Sequence, residues 1–170
     1  MANKVRTVGE EIRQTKPFDS RAEEAILTLY RTADAVQRDF TTLIEPHGIS
    51  AQQYNVLRIL RGAGSDGLPT LEIADRMIER TPGITRLLDG LESSGFVCKE
   101  NCATDARVSY AKLTDEGFET LRRASVTHLR GIDDLFVGRY SEPELATLAE
   151  LLSRLPLAGT DAKPGSVPCS

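Results

Sequence analysis

The stretch TPGITRLLDGLESSGFV, residues 81–97, decides which fold the chain can adopt. Its apolar side chains recur every three or four residues, which predicts a helix whose buried face consists of Ile84, Leu87, Leu88 and Leu91. Thr81 is a typical N-cap residue, and the proline at position 82 is tolerated in the first turn of a helix. The stretch therefore predicts a short amphipathic helix, whose other face carries Gly83, Thr85 and Arg86.

A β-hairpin is predicted directly after this helix. Residues 96–99 and 108–113 are rich in Val, Phe and Tyr, which favour strands, and a polar connection joins them. Upstream, residues 70–79 are expected to form a shorter helix whose inward side chains are Leu71, Ala74, Met77 and Ile78. Two short helices followed by a hairpin are typical of a winged helix-turn-helix, in which the second helix enters the major groove of DNA.

Longer helices are predicted on both sides of this unit. A serine followed three residues later by Glu or Gln has capping-box spacing, which predicts helix starts at Ser20, Ser50 and Ser141. Thr114, with two acidic residues after it, predicts a further helix start. The predicted fold class is therefore mainly α, with six helices and a small hairpin wing. The long helices carry single apolar stripes, which a second copy of the chain would cover.

These elements divide the chain into an arm, a lobe, two helical regions and a tail. We expect an N-terminal arm at residues 1–18, a winged helix-turn-helix lobe at residues 49–114, and a disordered tail at residues 157–170. Residues 19–48 and 115–156 are expected to be dimerisation helices. The N-terminus lacks the apolar segment of a secretory signal, and no apolar run is long enough to span a membrane, so a cytoplasmic location is predicted.

The helix and the hairpin together resemble the MarR family of transcriptional regulators. Residues 81–97 are similar to the recognition helix of that family through the pattern T-R-L-x-D-x-L-E-x-x-G-F-V. Asp105, Arg107 and the run LTDEG at residues 113–117 resemble its wing signature, D-x-R followed by L-T-x-x-G. Residues 47–54 resemble the entry to the family's second helix, and the resemblance extends over roughly residues 25 to 155.

The resemblance implies an intertwined homodimer that binds a pseudo-palindromic operator in double-stranded DNA. It also implies a transcriptional regulator, expected to be a repressor, that a small-molecule effector releases. From their position alone, His47 and Tyr54 are expected to form a wall of the effector cleft. The family often has a second basic residue at the wing tip, where this chain has Ala106, which is expected to weaken DNA affinity or shift its specificity.

DNA contacts are expected from the recognition helix and the wing. Thr85 can donate a hydrogen bond, Arg86 can bind guanine through two hydrogen bonds, and the free N–H groups of the helix start favour phosphate. Arg107 lies near the hairpin tip and suits a narrow minor groove, with Asp105 holding the loop. The complete predicted set is Thr81, Gly83, Thr85, Arg86, Lys99, Asp105 and Arg107.

The overall charge gives DNA binding no support. The net charge is −4, and residues 70–113 contain six basic and seven acidic side chains. Binding must therefore depend on which face each charge occupies, and non-specific binding is expected to be modest and sensitive to salt. This acidic balance leaves open an alternative function, a winged-helix module that binds proteins instead of DNA.

Cys98 and Cys102, in or beside the hairpin, leave a second alternative open. A disulfide between them would distort the wing and make the chain an oxidant-sensing regulator, although few basic neighbours are present to activate the thiols. The two histidines lack metal-ligand spacing, so no metal site is predicted, and no cofactor is expected. The usual motifs of hydrolases, nucleotide-binding enzymes and metalloproteases are missing, so the chain is not expected to be an enzyme.

Overall fold

The computed structural model describes residues 6–79, 83–101 and 108–155, which form seven α-helices and three β-strands. In chain order, the elements are α1 (Val8–Glu11), α2 (Arg21–Ile44), α3 (Ala51–Ala63), β1 (Leu68–Pro69), α4 (Thr70–Arg76), α5 (Ile84–Ser93), β2 (Val97–Asn101), β3 (Ser109–Leu113), α6 (Asp115–Phe136) and α7 (Glu142–Ser153). The mainly helical fold with a small wing is confirmed. Among the described helices, none has the length and apolar character needed to cross a membrane.

Contacts group the chain into two units, and the first, residues 1–42, contains α1 and most of α2. Helix α1 lies within the expected arm and was not predicted. Thr7 starts it with a capping box, since its hydroxyl accepts from the Glu10 N–H at 3.3 Å and its own N–H donates to the Glu10 carboxylate at 2.9 Å. The same spacing that revealed the other helix starts was therefore present here and was missed.

Helix α2 begins immediately after Ser20, as predicted. The Ser20 hydroxyl accepts from the Glu23 N–H at 3.1 Å. The Glu23 carboxylate, however, accepts from the Asp19 N–H at 2.7 Å, so the capping interaction spans one residue more than the predicted box.

The second unit, residues 43–170, contains the winged helix-turn-helix elements around one aliphatic core. Helices α3, α4, α5 and α6 and the three strands all contribute to it. The fully buried large side chains are Ile44, Leu57, Leu60, Ile73, Leu88, Leu91 and Leu121. Ser50 starts α3 with a capping box to Gln53, as predicted.

The predicted inward face of α4 is partly wrong. Leu71 and Ile78 are 79% and 75% exposed, whereas Ile73 is fully buried and Met77 nearly so. The helix also ends at Arg76 instead of Glu79, because Met77 leaves the helical conformation with ψ 137°. Five apolar residues in eight positions allow more than one helix phase, and contacts with the core select the phase that buries Ile73.

The wing is a three-stranded antiparallel sheet in the order β1-β3-β2, with one strand more than the predicted hairpin. In β1, Leu68 is opposite Ala111 and Pro69 is opposite Tyr110. Two residues are too few to produce an alternating pattern, so β1 had no signal in the sequence. Strand β2 pairs with β3 from Val97, opposite Leu113, to Asn101, opposite Ser109.

Thr114 and Ser141 start α6 and α7, as predicted. The Thr114 hydroxyl accepts from the Gly117 N–H at 3.0 Å, and the Ser141 N–H donates to the Glu144 carboxylate at 2.8 Å. Helix α7 buries no residue in the single chain. Exposed apolar side chains on these two helices are Phe118, Val126, Leu129, Leu148, Leu151 and Leu152.

Candidate nucleic-acid interface

Helix α5 buries one face and exposes the other, as predicted. Leu88 and Leu91 are buried, and Ile84 and Leu87 pack against the same core. Gly83, Thr85 and Arg86 are exposed. The helix begins at Ile84 with Gly83 as its N-cap, so the prediction of Thr81 as the N-cap and of a proline in the first turn is wrong. Gly83 has φ 97°, a left-handed conformation that glycine adopts freely.

The start of α5 has features suited to binding an anion. No side chain caps its N-terminus, so its first N–H groups have no side-chain acceptor in the described chain. Arg86 lies in this first turn and forms no ion pair with any described residue. A guanidinium beside free N–H groups at the positive end of a helix can bind phosphate or the edge of a guanine.

The other basic side chains that the structure describes from α4 to β3 are already paired. Arg76 contacts Glu72, and Lys112 contacts Glu100 at 2.6 Å. Lys99, predicted to contact DNA, forms ion pairs with Asp89 and Glu92. Asp89 raises the pKa of Lys99 most strongly, followed by Glu92, so the ammonium group stays charged. Of the predicted DNA contacts in the described residues, Arg86 is therefore the one cation without an internal carboxylate partner.

The two sequence signatures of the MarR resemblance contact each other at the base of the wing. The Thr114 hydroxyl donates to the Gly95 carbonyl at 2.7 Å, and the Thr114 N–H donates to the Phe96 carbonyl at 3.1 Å. Gly117 lies against the Phe96 carbonyl, which leaves no room for a side chain at position 117. These contacts fix the end of the recognition helix to the start of α6, and the wing extends from that junction.

Several predicted site residues lie outside the described part of the chain. They are Thr81, Cys102, Asp105 and Arg107, and the expected tail at residues 157–170 lies outside it as well. Their proposed roles in DNA binding and redox sensing remain predictions. Cys98 is exposed and free, and its thiol donates to the Lys112 carbonyl at 3.8 Å. The redox hypothesis therefore also remains a prediction, as it requires Cys102.

His47 and Tyr54, the predicted cleft wall, both contact α6. The His47 Nε2 atom lies 2.8 Å from the Thr127 hydroxyl, and the Tyr54 hydroxyl donates to the Ser125 hydroxyl at 3.4 Å. The Tyr54 ring also packs against the His128 ring, with 4.9 Å between their centroids. Tyr54 is buried, so its ring is part of the core. The structure thus places both predicted residues against neighbouring positions of α6, Thr127 and Ser125.

This junction gives a prediction about pH. Burial lowers the pKa of His128 below 6.5, and the positive charge of Arg58 lowers it further. The folded chain thus favours neutral His128, so this stabilisation is complete above the unfolded pKa and is lost as the pH falls through the folded pKa. In urea unfolding at about pH 7.5 and about pH 5.5, we expect the His128→Gln variant to lose less stability on acidification than the wild type. Equal losses would show that His128 does not contribute.

Known proteins match the sequence and the fold of most of this chain. A MarR transcription factor from Planctomyces limnophilus is 35% identical, with a TM-score of 0.58, and the match covers 82% of this chain and 100% of that one. The MarR-family regulator Sco3205 of Streptomyces coelicolor, solved in complex with DNA, is 25% identical, with a TM-score of 0.71 and coverage of 83% and 90%.

Among curated proteins, the HTH-type transcriptional regulator YkoM of Bacillus subtilis is 30% identical over 128 residues, which are 71% of this chain and 80% of YkoM. No family model matches the chain. These relatives are regulators of transcription, in agreement with the expectation that the chain is not an enzyme. The chain has the recognition helix and the wing, and the 35% identical MarR relative is matched over that relative's whole length. The chain therefore belongs to the MarR family of winged-helix transcriptional regulators.

Proposed function

We propose that this regulator is a cytoplasmic homodimer that binds a pseudo-palindromic operator and represses transcription until a small-molecule effector releases it. The observation that carries the DNA-binding part is Arg86, an exposed cation without an internal partner among the described residues, in the first turn of the recognition helix. Arginine in this position can form two hydrogen bonds with guanine, and Thr85 adds a donor beside it. Gly83 lets the backbone approach phosphate closely.

The wing completes the proposed DNA contacts. Arg107 is assigned to the minor groove and Asp105 to the support of its loop, on the sequence alone. Thr81 is assigned to the DNA backbone, from its position three residues before the recognition helix. Because the described segment from α4 to β3 has so few uncompensated cations, we expect the shape and bases of the operator to contribute more to its affinity than bulk charge does.

The test is a titration of the purified chain against duplex DNA from the region upstream of its own gene, followed by fluorescence anisotropy. A scrambled duplex of the same length is the control, and both are measured at about 50 and about 200 mM salt. We expect salt-sensitive binding that prefers the native sequence by about a thousandfold or more. Absence of binding at the lower salt concentration would refute the proposal and favour the protein-binding module.

The proposed dimer rests on the apolar side chains that α6 and α7 leave exposed in one chain. Leu148, Leu151 and Leu152 lie within two turns of α7, and they are 38%, 51% and 40% exposed. Apolar stripes of this kind are normally covered, and a second copy of the chain would bury them by symmetry.

A charge in this stripe is expected to break the dimer. Leu148→Lys places an ammonium group in the proposed interface, and we expect the dimer dissociation constant to rise at least about a hundredfold because a buried unpaired charge is costly. Ala146→Lys, on the opposite face of α7 and flanked one turn away by Glu142 and Glu150, is the matched control. Sedimentation velocity of both variants distinguishes the outcomes, and a dimeric Leu148→Lys chain would contradict the proposed interface.

The effector part rests on the junction of His47 and Tyr54 with α6. A small ligand with an aromatic ring and hydrogen-bonding groups would compete for the Thr127 and Ser125 hydroxyls and alter how the lobe joins α6. Such a ligand acts only if it binds one spacing of the two recognition helices more tightly than the other. Benzoate, salicylate and hydroxycinnamate, each at about 1 mM, are the probes for DNA release. Release that His47→Ala abolishes supports the site, and no release by any of them excludes this effector class.

A further inference from the structure

Lys99 occupies the outer edge of the wing. Strand β2 ends the sheet order, so one of its edges has no strand partner among the described residues. At Lys99 this edge is covered by helix α5, because the Lys99 N–H donates to the Glu92 carboxylate at 3.2 Å. A side chain thus satisfies a backbone donor that an edge strand would otherwise leave open.

The Lys99 side chain turns toward the same helix. Its Nζ atom lies 2.8 Å from the second oxygen of the Glu92 carboxylate, and it also donates to the Asp89 carboxylate. Glu92 therefore binds both the backbone and the side chain of one residue. The Lys99 side chain is only 24% exposed, compared with 53% for the Asp89 side chain, so most of the lysine side chain packs against its neighbours.

The position of Asp89 gives these contacts a consequence for DNA binding. Asp89 follows Thr85 by one helical turn and Arg86 by three residues, and it shares their exposed side of α5. A carboxylate there repels phosphate unless a nearby cation compensates it. Lys99 supplies that cation from the adjacent strand.

We propose that Lys99 is a positioning residue, which fixes the wing to the recognition helix through Glu92 and neutralises Asp89, and that it does not itself bind phosphate. This inference rests on the proposed DNA-binding function and replaces the direct contact that the sequence suggested for Lys99. Its central claim is that Lys99 influences DNA affinity through Asp89 and Glu92.

A double-mutant cycle tests the claim. The change Lys99→Met is made in the wild-type chain and in an Asp89→Asn/Glu92→Gln chain, in which both acids are replaced by amides of the same shape. In the wild-type background we expect about tenfold weaker binding to the upstream duplex, because two carboxylates lose their counter-charge. In the amide background we expect a change of less than about twofold. Equal losses in both backgrounds would show a direct phosphate contact and overturn the proposal.

The salt dependence of the same variants gives a second readout. A lysine bound to phosphate contributes about 0.9 to the slope of log K against log salt for each contact. We expect Lys99→Met to leave the slope unchanged, whereas loss of one phosphate contact in each protomer would lower it by about 1.8. Lys99→Arg keeps the charge and is expected to restore wild-type affinity.

An experiment without DNA separates failure of the inference from failure of the proposed function. Hydrogen exchange measured by NMR reports whether Glu92 accepts the Lys99 N–H. We expect Glu92→Ala to speed exchange of the Lys99 amide about tenfold or more, while the amides of α3 keep their wild-type rates. Unchanged exchange at Lys99 would overturn the inference. Absence of DNA binding by the wild-type chain would overturn the proposed function. The exchange result would then still show whether Glu92 accepts the Lys99 N–H.

Discussion

Replacing Arg86 by alanine is expected to remove most of the sequence-specific DNA affinity of this regulator. Each lost bidentate contact with a base costs about 1–3 kcal/mol, so the two half-sites of a dimer together lose about 2–6 kcal/mol. The expected effect is large because the other described basic residues from α4 to β3 are held by internal carboxylates. No neighbouring described lysine or arginine of this segment is free to take its place.

The measurement is the ratio of dissociation constants for the upstream duplex and the scrambled duplex. Arg122→Ala is the matched control, since it removes the same charge from an exposed side chain that pairs with Glu119 on α6. We expect Arg86→Ala to lower both the affinity and the ratio, and Arg122→Ala to change neither by more than about threefold. Equal loss on both duplexes would reassign Arg86 to a phosphate. No loss on either would support the protein-binding module.

The starts of α3, α6 and α7 could be predicted because capping is local. Ser50, Thr114 and Ser141 each use a partner three residues away, so a short window of sequence contains the whole interaction. The buried face of α5 was predicted for a similar reason. Its four leucine and isoleucine positions fit one helix phase only, and the polar residues between them leave no alternative.

The interactions that the sequence analysis missed depend on distant partners. The face of α4 is chosen by the core that receives Ile73, and β1 exists because Leu68 meets Ala111, 43 positions later. Likewise, the Lys99 side chain was predicted to contact DNA because its strand lies in the wing. Its pairing with Glu92 became visible only when α5 and β2 were placed side by side.

Replacing Gly117 by alanine is expected to destabilise strongly the junction between the recognition helix and α6. A Cβ atom at this position would lie 2.0 Å from the Phe96 carbonyl oxygen and 2.8 Å from its carbon. The carbonyl cannot simply rotate away, because it accepts the Thr114 N–H at 3.1 Å. Either α6 moves away from the end of the recognition helix or this hydrogen bond breaks.

We expect Gly117→Ala to lower the free energy of unfolding by about 2–4 kcal/mol, as overpacking costs about 1–3 kcal/mol and the broken hydrogen bond adds about 1. Gly90→Ala is the control, because its Cβ atom would meet only the Gln53 amide at 3.7 Å within the interior of α5. There we expect a gain of about 0.5–1 kcal/mol, since alanine restricts the unfolded chain and favours helix. Urea unfolding of both full-length variants makes the comparison. If Gly117→Ala unfolds within about 1 kcal/mol of the wild type, α6 can yield at its first turn, and the junction between the two family signatures is not the rigid base from which the wing extends.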